Sequence, residues 1–169
     1  STTMQSEMQS SLGLGSLFVF ITLSIGFRSF KQATVTLVPI LLVVVWLYGL
    51  MYMAGSSLNI VTVTIATISL GVGIDYCIHV TERYREGRES GESHDEALIG
   101  IGGACGLALI GSAASDIAGF SVIALSPMGL FTNFGIFSAA MIAFSLVASL
   151  VLTTAALGLV ARKPSAEAS

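Results

Sequence analysis

The chain has 169 residues, of which 54% are apolar before its 18 glycines are counted; 10% are charged, and the formal net charge is −3. An average soluble domain is about 45–50% apolar and about 25% charged, so composition argues against both a water-soluble enzyme domain and a disordered chain. No basic cluster offers a nucleic-acid surface, and at about 20 residues per apolar span the length suits five or six transmembrane helices.

The opening STTMQSEMQ is polar and has neither the basic start nor the small-residue cleavage site of a signal peptide. Residues 1–11 therefore read as the end of an extracytoplasmic domain or linker. A first span is expected over about 12–30, apolar from Leu12 to Phe27 and closed by the polar knot RSFKQ. The second, over 33–53, carries Pro39 near its start, where a missing backbone donor bends a membrane helix without ending it. AGSSLN follows, with Ser57 placed to cap a third span over 58–80.

TERYREGRESGESHDEA is the only strongly charged stretch. It predicts a short amphipathic cytoplasmic helix over about 82–90, ended by Gly91. Ser93 and Glu96 then spell a capping box, S-x-x-E, that starts the next helix in water before a fourth span over 98–125. A turn at Ser126-Pro127 leads to a fifth span over 130–160, and 164–169 form a tail. Because lipid offers backbone groups no partner, the spans must be helical. The expected fold is an all-α polytopic membrane bundle over 12–163.

The seven basic residues fall in alternate connections: Arg28 and Lys31, then Arg83, Arg85 and Arg88, then Arg162 and Lys163. Strict alternation places all seven on one side, which the positive-inside rule makes cytoplasmic. The expectation is a multi-pass protein of the cytoplasmic membrane with its N-terminus outside and C-terminus inside. An external start without a signal implies a preceding span and an external domain in the parent protein.

An ionised carboxylate near the bilayer centre costs on the order of 3 kcal/mol, so such a residue is a functional candidate. Asp75 lies in the third span, with Tyr76 beside it and His79 one turn on; Asp116 lies in the fourth. Counting residues staggers the two acids along the membrane normal and puts Ser112 nearer the level of Asp75. Glycines 71, 73, 102, 103, 106 and 111 suggest close helix approach there, a packed polar seam. Cys77 and Cys105 read as buried thiols. Neither metal-ligand spacing nor a nucleophile with its base is visible, so no enzyme, metal or cofactor is expected.

The segments GVGIDYCIHVTERYREG, EAL and SAASDIAGFSVIALSPMGLFTNFG resemble the RND superfamily, in particular its MmpL-like, hydrophobe and amphiphile efflux branch. The resemblance covers about 11–163. It implies a proton-driven exporter of lipids, terpenoids or similar molecules, built from two six-helix halves with an external domain after each first helix. This chain would be helices two to six of one half, the C-terminal one. Asp75 and Tyr76 would serve the proton relay, paired with residues of the other half, with Ser112 at a hydroxyl position near the acid and Asp116 and His79 as further relay candidates.

Implied partners are the other half, the external domain, membrane lipids and the hydrophobic substrate, with the proton as coupling ion. Tyr76 in place of a second acid, and no lysine in any span, set the chain apart from the drug-efflux branch. Asp116 stands where many relatives have hydroxyls. Two other readings share the architecture: a sterol-sensing-like lipid-binding module that transports nothing, and a SecD/SecF-like protein-export accessory.

Overall fold

The computed structural model describes residues 2–27, 30–55 and 60–161. Every regular element among them is helical. Five helices follow in order: α1 (Thr2–Phe27), α2 (Phe30–Met53), α3 (Ile60–Glu89), α4 (His94–Ala124) and α5 (Gly129–Leu159, continuing to Ala161). By length and composition α4, α5 and Gln32–Met53 of α2 suffice to cross a membrane, and α1 adds a shorter apolar stretch, Gly13–Ile25. The protein is an all-helical, multi-pass membrane chain. The cap expected at Ser57 lies outside the described residues.

Two boundaries differ from expectation. Helix α1 starts at Thr2, so the polar residues before Leu12 are continuous with the apolar stretch. The separate cytoplasmic helix expected over 82–90 does not exist, because α3 runs unbroken to Glu89. Nothing between Val80 and Glu86 breaks a helix, and Arg85 pairs with Glu82 and Glu89, both at 3.3 Å, across adjacent turns. Gly91, at φ 89°, ends the run in the left-handed conformation that favours glycine. The capping box forms as spelled: the Glu96 amide donates to Ser93 Oγ and the Ser93 amide to Glu96 Oε2 at 2.8 Å.

Helices α2, α3 and α5 pack as the centre, with α1 against α2 and with α4 laid along α5. Val43, Leu47, Ile65, Val80, Met141 and Ile142 fill the main core, and Leu23, Ile40 and Cys77 belong to a second cluster under α1. Buried hydroxyls join the three central helices. Thr36 on α2 bonds Thr81 on α3 at 3.1 Å, and Thr153 on α5 donates to the Cys77 sulfur at 3.3 Å. Thr36 and Thr81 also bond the carbonyls of Gln32 and Cys77 in their own helices, both at 2.9 Å, so the cross-helix links add to hydroxyls already satisfied locally.

The close approaches match the glycine pattern only in part, and with α5 rather than between α3 and α4. A Cβ at Gly73 would meet Ser145 of α5 at 2.7 Å, and one at Gly135 would run into the backbone of Phe120 and Ala124 in α4. Around Gly71, Gly102, Gly103 and Gly111 there is open space. Tight contact therefore joins α3 to α5 and α4 to α5. Helix α3 meets α4 chiefly along the latter's start, His94–Gly100 and Ile101–Cys105.

Candidate functional site

Where α4 leaves α3, a groove of about 460 Å³ opens between them. A π-helical turn, Ile101–Cys105, with Gly103 in a non-helical conformation (φ −76°, ψ −125°), precedes the divergence. Such a wider turn shifts the side chains beyond it relative to a regular helix, and glycine tolerates the local geometry. The expected packed seam is thus an open one. Its acids face space rather than a neighbouring backbone.

All five residues singled out in the sequence line this groove: Asp75, Tyr76 and His79 from α3, and Ser112 and Asp116 from α4. Val72, Ala108 and Leu109 supply apolar wall. Asp75 and His79 are exposed and Asp116 is half-buried. The Tyr76 ring is held in the core, 4% exposed, and its hydroxyl reaches into the groove to donate to Asp116 Oδ2 at 3.1 Å. Tyr76 therefore links the α3 wall of the groove to the acid of α4. The fixed ring aims the hydroxyl, and the i,i+4 spacing of Ser112 and Asp116 puts both on one face of α4.

Sequence reasoning did not find the Tyr76–Asp116 bond, because it paired Tyr76 with residues of the other half and set the two acids at different depths. The signal was available: a phenol one residue from Asp75 points to a different azimuth of the helix, and a second acid in the next span offers an acceptor. Cys105 corrects another expectation. It is half-buried, not buried, lines the groove, and sets its thiol 3.9 Å from the His79 carbonyl. Cys77 is buried as expected.

The electrostatics are one-sided. Two carboxylates line the groove, and no lysine or arginine is among the lining residues. Arg83, one turn beyond His79, is engaged with Glu92 at 3.1 Å. Among the described residues no three histidine, cysteine or carboxylate groups converge as a metal-ligand set.

Comparison with known proteins follows the same line. The sequence model of the MMPL family matches residues 1–168. The chain is 33% identical over 142 residues to a membrane protein of Methanocaldococcus jannaschii, covering 84% of this chain and 37% of that protein. It is 30% identical over 141 residues to the hopanoid transporter HpnN of Burkholderia multivorans, covering 80% of this chain and 16% of the transporter. The chain thus spans well under half the length of both relatives.

Proposed function

This chain belongs to the MMPL family, and from that premise we propose that it is the membrane part of a proton-driven exporter of hydrophobic or amphiphilic molecules. The similarity to a hopanoid transporter favours polycyclic or other lipid cargo. One observation carries the coupling: Asp75, Tyr76, Ser112, Asp116 and His79 share a single groove that holds two carboxylates and no permanent cation among its lining residues.

In this reading a proton arriving from the external side neutralises Asp75. The hydroxyl of Tyr76, held against Asp116, relays or rearranges hydrogen bonds as the groove closes, and His79 lies on the way out toward the Arg83 end. Asp75 faces outward from the bundle, where a second six-helix half would complete the relay. Asp116 adds an acid within the same half, so this half has a Tyr–Asp bond of its own. Substrate selection would rest mainly with an external domain of the full-length protein.

The test is proton-gradient-driven extrusion of a triterpenoid lipid by the full-length protein in liposomes. Asp75→Asn should reduce transport at least about a hundredfold while membrane expression and folding persist, on the scale of losing an essential proton-transfer group. An Asp75→Asn protein that transports at the native rate would overturn the relay. Lipid binding with no dependence on the gradient in the native protein would favour the lipid-binding module instead.

A further inference from the structure

The acidic groove ends where α3 and the start of α4 converge, and one guanidinium lies beyond that end. Asp75, His79 and Arg83 follow one another at i, i+4 and i+8, so Arg83 continues the groove-lining stripe of α3, about 12 Å from Asp75 at 1.5 Å per residue. His79 and Cys105 line the groove at this end, the thiol 3.9 Å from the His79 carbonyl. One turn further on, Arg83 Nη2 meets both carboxylate oxygens of Glu92, at 3.1 and 3.4 Å. The guanidinium lies against Gly100 of α4, where a Cβ would collide with it, and a Cβ at Gly87 would collide with the Glu92 carboxylate. Two positions without side chains thus leave the slot that the pair occupies.

The neighbouring charges are committed elsewhere or face water. Arg85 pairs with Glu82 and Glu89, the Arg88 guanidinium donates to the Glu92 carbonyl at 2.7 Å, and Glu96 accepts the Ser93 amide in the capping box. Glu86 and Asp95 are exposed. The described end of α5, beyond its π-helical turn Ala148–Thr153, sets Gly158 against Leu98 and carries no charge. Nor does the turn over 90–93 need the pair: the left-handed Gly91, the capping box and the Glu92 amide donating to the Gly87 carbonyl at 2.9 Å already fix its backbone. What the pair adds is a cation held at the end of a groove lined by two carboxylates. Both side chains are a third exposed or less, so water and salt screen the contact only in part.

We propose that Arg83 and Glu92 form a gate at this end of the acidic groove, closed in the structure. Closed, the guanidinium fills the gap between α3 and Gly100, and its fixed positive charge opposes the passage of a hydrated proton, as an arginine does in a water-conducting pore. With the pair parted, the groove becomes continuous with the water around the turn. Arg83 and Glu92 are therefore positioning residues that set when the groove communicates with that side. The gate rests on the reading of the groove as a proton relay for what passes through it, and not for whether it opens.

The experiment uses the full-length protein in sealed vesicles of either orientation, exposed to a trimethylammonium methanethiosulfonate that cannot cross the bilayer, with modification of Cys105 followed by peptide mass spectrometry. From the side of the turn, Arg83→Gln and Glu92→Gln should each speed modification at least about tenfold, on the scale of losing a charge-assisted hydrogen bond. Glu92→Gln separates opening from charge, because it makes the site more positive and would slow a cationic reagent if charge alone decided. The exchange Arg83→Glu with Glu92→Arg should restore protection, and Ser93→Ala, which frays the same turn without touching the pair, should leave the rate near the native one. No acceleration in Glu92→Gln, an exchange as fast as the single variants, or Ser93→Ala as fast as Arg83→Gln would each overturn the gate. Labelling is read without transport, so an Asp75→Asn protein that still exports cargo would overturn the relay and leave the gate standing.

Discussion

Tyr76 shows how much one hydroxyl does at this depth. Its ring is locked in the core and its oxygen has a half-buried carboxylate as partner, a hydrogen bond to a charged group worth about 1.5–3 kcal/mol. A double-mutant cycle of Tyr76→Phe and Asp116→Asn, read by thermal unfolding of the full-length protein in detergent, should give a coupling of about 1 kcal/mol or more. Additive effects would mean that the bond does not hold the two helices. Gly135 offers a contrast of pure shape. Gly135→Ala should destabilise by about 1–3 kcal/mol because the methyl group meets backbone that cannot swing aside. Gly111→Ala, facing open space, should stay within about 0.5 kcal/mol in the same assay. Asp75 and Asp116 were legible as candidates because charge is rare in an apolar run. The role of each glycine was not, since a missing side chain says nothing of which neighbour approaches.

At the level of elements, the hairpin between α3 and α4 is the best-specified part of the chain. Its capping box, its left-handed Gly91 and the Arg83–Glu92 ion pair all constrain the same few residues. A Cβ at Gly87 or Gly100 would intrude on that ion pair, so both glycines leave room for it. Ser93→Ala should cost about 1 kcal/mol, and Gly91→Ala a similar amount. Hydrogen exchange of the amides of Asp95 to Ala97 should then accelerate several-fold, while the amides of α5 keep their protection. Capping and turn chemistry are local, so they could be read from the sequence. The continuity of α3 could not be read in the same way: the change from apolar to charged residues marks where water begins, and a helix crosses that boundary without any break in its hydrogen bonds. Likewise the π-helical turns depend on how α4 and α5 settle against their neighbours.

Across the whole molecule, the buried hydroxyl links tie α2, α3 and α5 into one block, while α4 attaches along α5 and through the hairpin. The acidic groove is the gap left by that arrangement, and its walls belong to two differently anchored parts. That the chain is helical and crosses a membrane more than once followed from composition, because the bilayer allows few alternatives. Which helices touch did not, since in lipid every face is apolar and packing is decided by small differences in shape.

The uninterrupted α3 turns the groove into the short arm of a lever. From Asp75 to Glu89 it extends roughly 21 Å as a single rod, so a tilt of about 5° at the acid displaces the far end by roughly 2 Å. Protonation inside the membrane would thus be written as movement of a charged tip in water. Spin labels at Glu89 and at an exposed position of α1 in the full-length protein should change separation on acidification, and Asp75→Asn should hold the labels at the acid-state distance. A separation indifferent to both would mean that the rod and the acid are mechanically uncoupled.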